Sequence, residues 1–140
     1  MKTIKFRGRN KSGEWLYGDL MHYCGATLIL PLQANWYDFV PKKDNPLRLP
    51  SSKFEVISNT VCQSTGLTDG NGKAIYEGDI IKEDNLIHQI LWIDDASCFC
   101  RCNLQDADIR IRISRDEMRY VEVIGNIHDN PELIEKGGEK

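Results

Sequence analysis

Apolar side chains recur at every second position through most of this 140-residue chain, and no long segment keeps the period of a helix. Ile4 and Phe6 alternate with basic residues up to a polar break at Asn10-Lys11-Ser12-Gly13, after which the run from Trp15 to Met21 resumes. That pattern predicts a β-hairpin, with Gly13 supplying a positive φ at the turn. A second extended run, from Ala26 to Leu32, contains Pro31, which lacks an amide donor and belongs at the edge of a sheet.

Further strands are expected from Phe54 to Val61, around Gly78 between Ala74 and Lys82, and from Leu86 to Ile93. Others are expected from Cys98 to Leu104, from Ile109 to Ile113, and from Tyr120 to Ile127. The Leu86 to Ile93 run is apolar on both faces apart from His88 and Gln89, as a central strand would be. Asp69-Gly70-Asn71-Gly72 concentrates residues that tolerate positive φ and predicts a tight turn. At the C-terminus, Asn130 as N-cap, Pro131 at the first helical position and Glu132 at the positive end of the dipole predict a short helix. Gly137 and Gly138 limit its length, and residues 135–140 are expected to fray.

The expectation is therefore a mainly β fold, a small barrel or sandwich of antiparallel strands with a long irregular loop and a short C-terminal helix. One domain covers 1–140, divisible into an N-terminal part, 1–53, and a C-terminal β part, 54–134. The long loop lies between Gln33 and Lys53, where Pro41, Pro46 and Pro50 interrupt all periodicity and Trp36, Tyr37 and Phe39 crowd the first half. These three aromatics either fold back over the core or form a partner-binding surface.

Eighteen basic and 21 acidic residues give a net charge of −3, so nucleic acid or an anionic membrane would have to find a local patch. No stretch approaches the ~20 apolar residues of a membrane-spanning helix, and the charged start has no signal-peptide character. A cytoplasmic protein is expected, and its five cysteines are expected to stay reduced.

Three blocks carry a family resemblance. They are Lys5-Phe6-Arg7 with Tyr17-Gly18-Asp19-Leu20, the stretch from Thr65 through Asp69-Gly70-Asn71-Gly72 and Tyr76-Glu77-Gly78-Asp79 to Ile81, and Val123-Ile124-Gly125-Asn126-Ile127-His128-Asp129-Asn130-Pro131-Glu132-Leu133. In this order they resemble the YopX family of phage and prophage proteins. Cys62 departs from the pattern, since relatives commonly place glycine there. The resemblance implies a mainly β fold and an origin in phage DNA within a bacterial host. It implies no activity, because the family is of uncharacterised function. Gly66, Asp69, Gly72, Tyr76, Gly78, Asp79 and Gly125 are expected to be structural, as turn, bulge and close-approach residues.

Few residues invite chemistry. Cys98, Cys100 and Cys102 share one face of a strand, but zinc sites usually draw ligands from turns, and a face of small buried hydrophobes is the simpler reading. No metal or other cofactor is assigned. Glu77 and Asp79, with His88 or His128, form a minimal acid–base set, yet carboxylates beside glycine commonly cap turn amides, so no catalytic residue is assigned. Arg110, Arg112 and Arg115, joined by the basic N-terminal strand, would make a nucleic-acid surface if those strands were neighbours; otherwise the arginines alternate with buried Ile111 and Ile113 as the wet face of a strand. The leading expectation is a non-enzymatic protein-interaction or self-assembly module, with nucleic-acid binding and a small metal-dependent enzyme as alternatives.

Overall fold

In the computed structural model, Asn10 closes the first hairpin: its side-chain Oδ1 accepts the N–H groups of Ser12 at 3.0 Å and Glu14 at 2.9 Å, while Gly13 takes φ +87°. The structure describes residues 4–31, 52–106 and 108–138, so the aromatic loop with Trp36, Tyr37 and Phe39 lies outside the described residues. The chain forms two compact units, the first being Ile4–Gln63 and the second beginning at Ser64.

In the first unit, β1 (Phe6–Arg9), β2 (Trp15–Tyr23) and β3 (Ala26–Leu30) make an antiparallel sheet that β4 (Cys62–Thr68) joins through its first two residues. β3 is at the edge of this sheet among the described residues, and Pro31 directly follows it. The expected strand over 54–61 is not one. It is replaced by two short 3-10 turns, Ser52–Phe54 and Ser58–Thr60, and a single bridge between Leu28 and Glu55. Thr60 explains the second turn, because its hydroxyl donates to Ile57 O at 2.6 Å and accepts Arg9 N–H at 2.9 Å, holding the backbone in a tight bend. Val56 then packs over Gly8, where an added Cβ would sit 2.7 Å from its Cγ2, and joins Leu28, Ile29 and Phe54 in the buried set.

In the second unit β4 continues through Thr68 and pairs with β5 (Ala74–Tyr76). Residues 65–68 are therefore strand, with a register shift between Ser64 and Thr68 where Gly66 takes φ +81°. β6 (Asp79–Glu83), β7 (Leu86–Ile93), β8 (Cys98–Asn103), β9 (Arg110–Arg112) and β10 (Glu122–Asn126) form an antiparallel sheet of order β10-β6-β7-β8-β9. The fold is mainly β, as expected. The sheets are open rather than closed into a barrel. β7 holds the central position that its two-sided apolar pattern predicted.

Ile75, Ile81, Ile90, Phe99, Met118 and Val121 form the core of this unit. Met118 comes from α1 (Arg115–Met118), a four-residue helix that the alternation argument overlooked. Its signal is Ser114-Arg115-Asp116-Glu117, a Ser-x-x-Glu sequence, and the Ser114 hydroxyl accepts Glu117 N–H as N-cap. One turn is enough here because fully burying a methionine side chain stabilises by about 1.5–3 kcal/mol. α2 (Pro131–Gly138) begins at the expected proline, and it runs through both glycines.

Candidate interaction face

The most distinctive residues of the sequence are braces. Asp69 Oδ1 accepts Asn71 N–H and Lys73 N–H, both at 2.9 Å, and Asp69 Oδ2 accepts Val123 N–H at 3.0 Å. Gly70 N–H adds a bond to Val121 O at 3.0 Å, so the turn that ends at Gly72 clasps the outer edge of β10. Burial pushes the Asp69 carboxyl up, but the amides of Val123, Lys73 and Asn71 and the charge of Lys73 more than reverse this and hold it below the ordinary value of 3.8.

Asp79 is buried and its Oδ2 accepts Tyr76 N–H at 2.8 Å, across a turn in which Gly78 takes φ +85°. Gly78 also donates to Ile90 O at 2.8 Å and accepts from Ile127 N–H at 3.0 Å. Gly125 makes room for Asn130, whose Oδ1 would lie 2.4 Å from an added Cβ and which accepts Asn126 N–H at 3.2 Å. Asn126 Oδ1 in turn accepts His128 N–H and Asp129 N–H. Asn130 thus directs its side-chain oxygen back to β10. Asp79 and His128 are built into different turns, and Glu77 is half-buried between them and β5 in sequence.

A different region lies at the margin of the sheet face that carries Ile81, Ile90 and Phe99. On one face of the second sheet, register places Glu83 and Leu86 across β6 and β7, His88 across from Asn103, and Arg101 across from Ile111. Arg101 Nη1 lies 2.7 Å from Glu83 Oε2, so its side chain reaches over β7, and Nη2 lies 3.7 Å from Glu117 Oε2. His88 sits beneath this bridge at 2% exposure, and its Nδ1 has no hydrogen-bond partner among the described residues. Burial, then the Arg101 charge, push the His88 pKa below 6.5, against the opposing pull of Glu83.

Around the bridge stand Leu86 at 50%, Ile109 at 42% and Ile111 at 37% exposure. Ile111 was expected to be buried and is not, and Ile113 is half-buried. β9 is a three-residue edge strand, and the core cluster takes in Ile113 but stops short of Ile111. Exposed apolar side chains gathered about a half-buried ion pair are the pattern of an association surface.

The family model for the YopX protein matches residues 5–135, nearly the whole chain. The chain belongs to the YopX family. Among solved structures, its fold is similar to that of protein EF1440 from Enterococcus faecalis. The TM-score is 0.54 at 23% sequence identity, over 96% of this chain and 99% of that one. No curated protein matches it.

The YopX family blocks coincide with the braces, while the exposed cluster of Leu86, Ile109 and Ile111 falls between the second and third blocks. In this YopX chain Arg110 and Arg112 are exposed on the opposite face of the sheet from Ile111, and Arg115 is exposed at the start of α1. Arg7 is buried with its guanidinium 4.8 Å from the centre of the Trp15 ring, and Arg9 is half-buried 6.0 Å from the same ring.

Cys100 and Cys102 are buried, as the simple reading of the thiols required, but Cys98 is half-exposed and its Sγ lies 3.6 Å from Cys100 Sγ. Cys62 opens β4 as extended backbone, where its thiol donates to Thr60 O at 3.2 Å. No helix among the described residues is long and apolar enough to cross a membrane.

Proposed function

We propose that this YopX protein is a phage- or prophage-encoded, non-enzymatic association module of the bacterial cytoplasm, and that its partner is a second copy of itself. The observation that supports this reading is the exposed trio Leu86, Ile109 and Ile111 around the Glu83–Arg101 bridge. The patch carries both signs of charge at its centre and apolar side chains on both flanks. A two-fold rotation can therefore set Leu86 of one copy against Ile109 and Ile111 of the other without opposing like charges. Coupling two such patches removes apolar area from water at about 25 cal/mol per Å².

Burial of Asp79 and its bond to the Tyr76 amide support the turn-capping role expected for the Glu77 and Asp79 carboxylates. Amide hydrogen exchange measured over a range of protein concentrations tests the location. Residues 83–86 and 109–112 are expected to gain protection as concentration rises. Concentration-independent exchange there, with protection gained elsewhere, would move the interface off this face.

A second reading is favoured by the pair Arg110 and Arg112, exposed two residues apart on one face of β9. It is a nucleic-acid contact made by backbone neutralisation, with the salt dependence that such contacts carry.

A further inference from the structure

We infer that His88 is an acid-triggered latch for the association face: when its buried ring takes up a proton, the Glu83–Arg101 bridge opens and the second copy is released. The release step rests on self-association through Leu86, Ile109 and Ile111. His88 is 2% exposed, and its Nδ1 has no hydrogen-bond partner among the described residues. Register sets it opposite Ile81 of β6 and Asn103 of β8, one side-chain step along β7 from Leu86. A titratable ring therefore lies under the centre of the patch.

A neutral imidazole suits this site, whereas an imidazolium brings a charge and a second N–H that need an acceptor. Asn103 is already engaged, since its Oδ1 accepts Gln105 N–H at 2.8 Å. The charges acting on the ring are Arg101 from β8 and Glu83 from β6. Glu117 of α1 lies 3.7 Å from Arg101 Nη2. β9 contributes uncharged Ile111 to this face, and the neighbours of His88 along β7 are Leu86 and Ile90.

Protonation thus repels Arg101 and attracts the carboxylate that Arg101 holds at 2.7 Å. Once Glu83 turns to the ring, two cations share one carboxylate at the middle of the patch. Across a two-fold axis the cations of one copy then oppose those of the other. Burial and Arg101 keep the closed-state pKa below 6.5, so the closed dimer refuses a proton that an opened monomer accepts. The dimer is intact above pH 6.5 and is lost as pH falls through the closed-state value.

Sedimentation equilibrium of the full chain from pH 7.5 to 5.0, a range above ordinary carboxylate values, is the test. The wild-type dimer Kd is expected to rise by about tenfold or more, and that of His88→Gln, which retains His22 and His128, to stay level with pH. A wild-type dimer insensitive to pH, or a pH response that survives in His88→Gln, would overturn the latch and leave self-association standing. A wild-type monomer at pH 7.5 would overturn both. NMR of the wild-type His88 ring needs no variant: its titration midpoint should lie lower in concentrated than in dilute protein, and equal midpoints in a protein that dimerises would refute the latch.

Discussion

Asp69 Oδ2 accepts the backbone N–H of Val123 at 3.0 Å, tying together residues 54 apart in sequence. The same carboxylate holds two amides of its own turn, so one side chain both shapes the loop and docks it on β10. Replacing Asp69 by Ala strands three amides, and the expected cost is about 3 kcal/mol, measured by urea denaturation. The carboxyl is depressed in the folded state, so its contribution is present above the unfolded value near 3.8 and is lost as pH falls through the folded pKa. The wild-type stability curve should drop below pH 3.8 more steeply than that of Asp69→Ala.

His88 gives a second, higher window of pH dependence. Its pKa is lowered in the folded state, so at pH below 6.5 the unfolded chain takes up a proton that the folded chain refuses. Stability is level with respect to this group above pH 6.5 and falls on acidification, with a slope approaching about 1.4 kcal/mol per pH unit until the folded pKa is reached. His88→Gln should flatten the curve in that interval when unfolding is followed from pH 7.5 to 5. An unchanged slope would show that the folded protein takes up the His88 proton as readily as the unfolded chain does.

Gly18 is the position in the first unit least able to accept a side chain. It takes φ +154°, and a Cβ there would lie 2.0 Å from Leu30 O, which is backbone and cannot swing aside. Gly18→Ala should destabilise by more than about 3 kcal/mol and lower the thermal midpoint accordingly. Gly125→Ala should cost less, about 1–2 kcal/mol, because the obstacle is the Asn130 side chain, although moving it sacrifices the bond to Asn126 N–H.

The nucleic-acid reading has its own outcome. Retention on single-stranded DNA or RNA that weakens steeply with salt, and is lost in Arg110→Ala with Arg112→Ala, would support it. Retention unaffected by either change would remove it.

The mainly β fold was legible because alternation and turn chemistry act locally: Gly13, the Asp69 turn, β7 and the start of α2 are where pattern alone placed them. The misread segments share a cause. Residues 54–61 look extended in sequence, but the Thr60 hydroxyl competes successfully for backbone partners and bends the chain. α1 was hidden by its length, since a single turn has no periodicity, although Ser114 and Glu117 signalled its start.

The exposed face was less legible still. Ile111 has the pattern of a buried strand residue, and its exposure follows from how short β9 is and where the core ends, both properties of the assembled sheet. The aromatic loop of Trp36, Tyr37 and Phe39 remains a sequence expectation, outside the described residues.

Sedimentation equilibrium of the wild-type chain beside Ile111→Glu tests the central proposal most directly. Ile111 is exposed and outside the core cluster, so the substitution should leave the fold intact by circular dichroism while setting a carboxylate where apolar Leu86 of the second copy would pack. The expected result is a concentration-dependent dimer for the wild type and a monomer for the variant. A wild-type chain that stays monomeric up to millimolar concentration, or a dimer that Ile111→Glu leaves unchanged, would contradict it.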